Sequence, residues 1–130
     1  MLNITKRVEY ALIAIRHLNN RENLCSSRKI SSIYNIPNEI MAKTLQNLCK
    51  MGYVKATKGS HGGYYLNVSI AEVNLIEFIE NLEGPVGIVK CSTDNNCDLI
   101  EKCNIKSPIN KINTNIRNIL SKVSLQDIVT

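Results

Sequence analysis

This 130-residue chain has no apolar run near the roughly 18 residues that a membrane helix needs, so no membrane span is expected. Its opening, Met1 to Arg7, lacks the apolar stretch of a secretion signal, and a cytoplasmic location is the expectation. Histidine is scarce: His17 and His61 are the only two. No Ser/His/Asp set, phosphate-binding glycine loop or carboxylate pair in a recognisable context is present, so an enzyme is not expected. There is no repeat or low-complexity segment, and the length suits one domain.

What is present is unevenly charged. Residues 1–66 hold ten Lys/Arg against three acids, a surplus of +7, while residues 67–130 hold six basic residues against eight acids, or −2. A basic half joined to a mildly acidic one suits a nucleic-acid-binding module carrying a regulatory or oligomerisation module.

Thr5 can cap a first helix running to Asn19, with Val8, Ala11, Leu12, Ile15 and Leu18 on one apolar face. Ser27 is the expected cap of a short second helix, with Ile30, Ile33 and Tyr34 facing inward. Asn35 to Asn38 reads as a tight turn, and Asn38 as the cap of a third helix, Glu39 to Met51, which buries Met41, Leu45 and Leu48. Gly52 ends it. Two short helices joined by such a turn are a helix-turn-helix signal.

The segments Tyr53–Thr57 and Tyr64–Val68 are β-rich and flank a glycine-rich turn, Lys58 to Gly63. This predicts a hairpin directly after the helix pair, in other words a wing. Its glycines permit positive φ and close backbone approach to another molecule. The fold class expected is mainly α with a small β-hairpin wing: a winged helix-turn-helix followed by a long C-terminal helix, which a family resemblance makes a dimerisation helix. Residues 1–68 would form the DNA-binding part. Residues 69–130 would carry the remaining helices, dimerisation helices by that resemblance, and the cysteine run, within one continuous domain.

Asn74, with Glu77 three residues on, can cap a fourth helix bearing Leu75, Ile76, Phe78, Ile79 and Leu82; Gly84-Pro85 stops it. A helical turn is expected at Asp98 to Lys102. Ser107 as cap and Pro108 at the first helical position predict a last helix. Ile109, Ile112, Ile116, Ile119 and Val123 follow at steps of 3, 4, 3, 4, a heptad seam of about two repeats. It suits a dimer contact or an amphipathic helix on its own subunit's core. Ser124 to Thr130 reads as a short tail.

Of five cysteines, Cys91, Cys97 and Cys103 form a C-x5-C-x5-C run. Thiolates suit iron–sulfur clusters or zinc. Zinc sites more often pair cysteines two to four residues apart with a fourth Cys or His nearby, so the equal spacing fits zinc poorly. A redox thiol remains an alternative. Lys90 and Lys102 beside the run can favour the thiolate form. Cys49 falls on the apolar side of the third helix as a small buried hydrophobe, and Cys25 lies in a polar loop with no assigned role.

The order of these elements resembles a known family. Ile4-Thr5-Lys6 with Tyr10-Ala11-Leu12, the stretch from Leu48 to Val54, then Lys58-Gly59-Ser60-His61-Gly62-Gly63-Tyr64, Leu82-Glu83-Gly84-Pro85 and the three cysteines are similar to the Rrf-two-type winged helix-turn-helix regulators, in which IscR-like and NsrR-like branches are known. The resemblance covers nearly the whole chain. It implies a homodimeric cytoplasmic transcription factor that binds double-stranded DNA and carries an iron–sulfur cluster on Cys91, Cys97 and Cys103. In IscR-like members a histidine three residues after the last cysteine completes a 2Fe-2S site; here that position is Lys106. The departure favours the NsrR-like arrangement with a 4Fe-4S cluster, whose fourth ligand can be a carboxylate near the partner subunit's N-terminus. The aligned position is Glu9; water, a small thiol, Asp94 or Asp98 are alternatives. For DNA, Asn38, Glu39 and Lys43 are the expected base-reading residues, Lys58, Gly59, Ser60 and His61 the wing tip, and Lys29 a backbone contact. The competing readings are a regulator of the same fold that senses by thiol oxidation without a cluster, and a cluster-carrying electron-transfer or assembly protein. The second would need neither a basic half nor a wing.

Overall fold

A computed structural model describes residues 4–20, 24–86 and 106–129. The cysteine run and the expected turn at Asp98 to Lys102 lie outside these described residues. Helix α1 spans Lys6–Asn19, and Thr5 caps it as expected, its hydroxyl oxygen accepting from the Val8 amide. Its inward stripe is Val8, Ala11, Ala14, Ile15, His17 and Leu18, with Leu12 only half-buried.

Helix α2 is Ser27–Tyr34, and its cap is Ser26, not Ser27: the Ser26 Oγ accepts from the Lys29 amide at 3.2 Å. The cap must be extended, and Ser27 is already helical. The inward set also differs. Ile30 is fully buried, but Ile33 and Tyr34 are 48% and 40% exposed. Two turns of helix bury one narrow face, and Ile30 with Ser31 fills it. Tyr34 instead places its hydroxyl 3.0 Å from His17 Nδ1, with the two rings edge-on. Asn35, at φ 54°, ends α2 in the left-handed region that asparagine tolerates.

Helix α3 spans Asn38–Lys50. Pro37 occupies the cap position and makes no side-chain cap bond, so Asn38 is the first helical residue and not the cap. The pre-set φ of proline starts the helix without a side-chain acceptor. Met41, Thr44, Leu45 and Leu48 are buried. Gly52, at φ 84°, follows the last turn and redirects the chain. Strands β1 (Val54–Thr57) and β2 (Gly63–Leu66) pair antiparallel with Val54 opposite Leu66 and Thr57 opposite Gly63.

Asn74 caps α4, Leu75–Glu83, by accepting from the Ile76 and Glu77 amides. Helix α5 runs Lys106–Leu120, so Ser107 and Pro108 lie inside its first turn and not at its boundary. It stops three residues short of Val123. The expected tail is instead a short helix α6, Leu125–Val129, whose Leu125 and Val129 enter the core. Asp127 starts it by accepting from the Ser124 amide at 2.9 Å. Reciprocal backbone bonds, Leu75 N–H to Val123 O and Leu125 N–H to Val73 O, tie this end to the start of α4.

The core gathers residues from α1, α2, α3, β1, α4 and α6 around Phe78, its largest fully buried side chain. Phe78→Ala is expected to cost about 3–5 kcal/mol, read as a fall in the denaturant midpoint at unchanged slope. A loss under 1 kcal/mol would mean that the ring is not packed as described.

Candidate nucleic-acid interface

The α2–turn–α3 unit exposes one side of α3. Its buried residues recur at Met41, Thr44, Leu45 and Leu48, so the opposite stripe is Glu39, Lys43, Gln46 and Lys50, all exposed. Asn38 is exposed at the helix start. Asn38, Glu39 and Lys43 are thus brought to one accessible end, where a recognition helix meets base edges. Gln46 was not singled out from sequence, yet it continues the same stripe one turn on. Its signal was legible: it stands seven residues after Glu39, close to two helical turns. A glutamine amide can bond adenine in bidentate fashion. Lys29, exposed in the first turn of α2, is available for a phosphate.

The wing is shaped by close backbone packing. Gly59 at φ 109° makes the turn, and the Gly62 amide closes it on the Gly59 carbonyl at 3.0 Å. A Cβ on Gly62 would sit 2.0 Å from the Thr57 carbonyl oxygen, and one on Gly63 would sit 2.9 Å from the backbone of Cys25. The close approach expected at these glycines is therefore within the chain itself. Lys58, Gly59, Ser60 and His61 are all exposed at the tip. Behind it, Lys55 faces Tyr65 across the hairpin, and both are exposed. This pair was also missed from sequence, although strand alternation around buried Val54 marks Lys55 as outward.

Cys25 is not an idle loop residue. Its amide donates to the Tyr64 carbonyl at 3.1 Å and its carbonyl accepts from the Tyr64 amide at 2.7 Å, which lays the entry to α2 along the wing. Burial pushes the half-buried Cys49 thiol up from its ordinary range. Burial, and then the Cys49 charge, raises the nearby Tyr64 phenol as well.

Gly62→Ala should displace the Thr57 carbonyl and deform the turn. The expected outcome is at least a tenfold loss of DNA affinity with the helical circular dichroism retained, as most helices lie outside the hairpin. Unchanged affinity would mean that the wing tip does not meet DNA.

Glu9 lies half-buried in the first turns of α1, and its carboxylate is 3.0 Å from Lys6 Nζ. The carboxylate bond and charge hold the Lys6 ammonium above its usual range. Among the described residues, no group of three or more His, Cys, Asp or Glu side chains stands together to hold a metal ion. Nor is any of their helices long and apolar enough to cross a membrane.

A two-helix reading unit followed by a two-stranded wing defines a winged helix-turn-helix of the DNA-binding class. The family described as Rrf2, iron-dependent transcriptional regulator, matches residues 4–130, and the chain belongs to that family. It is therefore of a regulatory and not an enzymatic kind. The chain is 28% identical to the HTH-type transcriptional regulator NsrR of Bacillus licheniformis, over 98% of this chain and 92% of that protein. Its fold is similar to that of CymR, the global cysteine regulator of B. subtilis, at a TM-score of 0.75 and 23% identity, covering 99% of this chain and 97% of that one. It is likewise similar to T. potens IscR, at a TM-score of 0.70 and 21% identity, covering 98% and 86%.

Proposed function

We propose that this protein is a cytoplasmic, homodimeric DNA-binding regulator whose affinity for double-stranded DNA is gated by an iron–sulfur cluster. The observation that carries the reading is the presence in one chain of an exposed polar and basic reading face and a separate run of three thiols. The likeness to NsrR supports it. Cys91, Cys97 and Cys103 would hold the cluster as thiolates, a donor set that fits cluster iron. Glu9 of the partner subunit would supply a harder, more weakly held fourth ligand, and to do so it must leave Lys6. With no histidine after Cys103, 4Fe-4S is favoured over 2Fe-2S. When bound, such a group supplies a centre open to reaction with oxygen or nitric oxide.

Two copies are supported by α5. Ile112 and Ile119 of the heptad seam are 50% and 66% exposed, whereas its buried residue is Asn113. Ile109, Ile116 and Val123 are half-buried, so its own subunit leaves two of the five seam residues exposed, and a second copy would cover them. Lys29, Asn38, Glu39, Lys43, Gln46 and the wing residues Lys58, Gly59, Ser60 and His61 would then face DNA once per half-site.

Anaerobic purification followed by iron, sulfide and visible spectra tests the reading, together with DNA binding before and after cluster removal. Protein that holds zinc and neither iron nor sulfide overturns it. A colourless reduced protein that still binds DNA returns the case to thiol oxidation. Of the described thiols, Cys49 is poorly suited to that role, because burial pushes its thiol up from the ordinary range.

Glu9→Ala should leave iron bound by the three thiolates, shift the visible spectrum and shorten the cluster's lifetime in air severalfold. The same spectrum and lifetime as wild type would remove Glu9 from the site and leave Asp94, Asp98, water or a small thiol.

A further inference from the structure

Three consecutive residues near the end of α4 are each gripped by a different element. Glu80 is paired with Arg117 of α5, whose guanidinium also donates to the Val86 carbonyl at 3.3 Å. The Leu82 carbonyl accepts from Arg7 of α1 at 3.2 Å. Between them, the Asn81 amide donates to the Tyr53 hydroxyl at 2.7 Å.

Tyr53 is one link between the reading unit and α4. Its amide donates to the Leu48 carbonyl in the last turns of α3 at 3.0 Å, and its carbonyl accepts from Asn67, just past the wing, at 2.9 Å. Its ring is 6% exposed and stacks on Phe78 of α4, centroids 5.0 Å apart and planes 11° from parallel. A cleft of about 280 Å³ separates Asn47, Lys50 and Met51 at the end of α3 from Arg7, Asn81 and Leu82. A stacked ring can slide or turn in its plane at little cost, whereas a hydrogen bond at its tip fixes that freedom.

We propose that Tyr53 is a positioning residue. Its hydroxyl bond to Asn81 sets the orientation of α3 and the wing relative to α4 and α5, and so sets which half-site spacing the dimer accepts. The inference rests on the homodimer reading above. In a dimer held through α5, a small rotation of each reading head becomes a change in the distance between the two recognition helices.

The test uses the full chain and a DNA site selected from random sequence by the wild-type protein, with one base pair then inserted or deleted between the half-sites. Tyr53→Phe keeps the stacked ring and removes only the hydroxyl. It should bind the selected site within about twofold of wild type. Its discrimination against altered spacing should fall about fivefold, the size of one net intramolecular hydrogen bond. Asn81→Ala, at an exposed position that leaves the core intact, should do the same, and the double variant should do no more than either. Asn81→Asp should restore discrimination, since the Tyr53 hydroxyl can donate to a carboxylate.

A Tyr53→Phe protein that discriminates as wild type does, or that weakens every DNA equally, overturns the inference alone. A wild-type protein that is monomeric, or indifferent to spacing, overturns the homodimer reading and this inference with it.

Discussion

Replacing any one of Cys91, Cys97 or Cys103 by alanine is expected to abolish the visible chromophore of anaerobically purified protein. Each removes one of three thiolates, and a site left with two and a carboxylate cannot retain a cluster through purification. Iron and sulfide should fall together from about four per chain toward zero, the 4Fe-4S stoichiometry. Cys25→Ala and Cys49→Ala are the controls, and the structure explains why they should be silent. Cys25 is 3% exposed, and it contributes to the wing through its backbone, which alanine keeps. Cys49 is half-buried on α3, and burial pushes its thiol up, which disfavours its use as a thiolate ligand. A chromophore that survives in two of the three cluster variants would sink the assignment. Loss of colour in Cys49→Ala with an intact fold would enlarge the ligand set instead.

The sequence announced its helices through features that act locally. Thr5 and Asn74 are caps because their oxygens reach amides two or three residues on, and both are observed. The wing followed from two β-rich runs around glycines. What failed depended on neighbours distant in the chain. Two adjacent serines, Ser26 and Ser27, are equal as caps until the backbone chooses one. Ile33 and Tyr34 are apolar enough for a core, yet both stay exposed on α2, and Tyr34 turns its hydroxyl to the distant His17. From sequence, α6 reads as a tail because five residues carry too little periodicity. Its burial depends on backbone bonds to Val73 and Ile70, fifty and more residues earlier. The bridge from Cys25 to Tyr64 is equally invisible, since neither residue type requires it. At the candidate site, every DNA-contact residue named from sequence is exposed. Gln46 and Lys55 are marked by periodicity alone, Gln46 seven residues after Glu39 and Lys55 next to buried Val54, and both lie on the exposed face.

DNA affinity should fall by about a thousandfold or more between 50 and 200 mM salt, the loss expected when some six or more phosphates are neutralised. The arithmetic follows from the exposed cations. Lys29 at the start of α2, Lys50 at the far end of the α3 stripe and Lys58 at the wing tip would give about three phosphate contacts per subunit, or six per dimer. Lys58→Ala removes one from each subunit, so the slope of log affinity against log salt should shrink by about two, and binding to all sequences should weaken alike. The residues that face base edges should behave differently. Asn38→Ala, Lys43→Ala and Gln46→Ala should each cost about 1–3 kcal/mol on the preferred site, with little change on random DNA, so that specificity relaxes while the salt slope is nearly kept. The contrast between the two sets is the discriminating result. Should Lys58→Ala alter base preference while Gln46→Ala lowers the salt slope, the wing and the α3 stripe would have exchanged roles. Affinity indifferent to salt and to Lys58 would show that this face does not meet DNA.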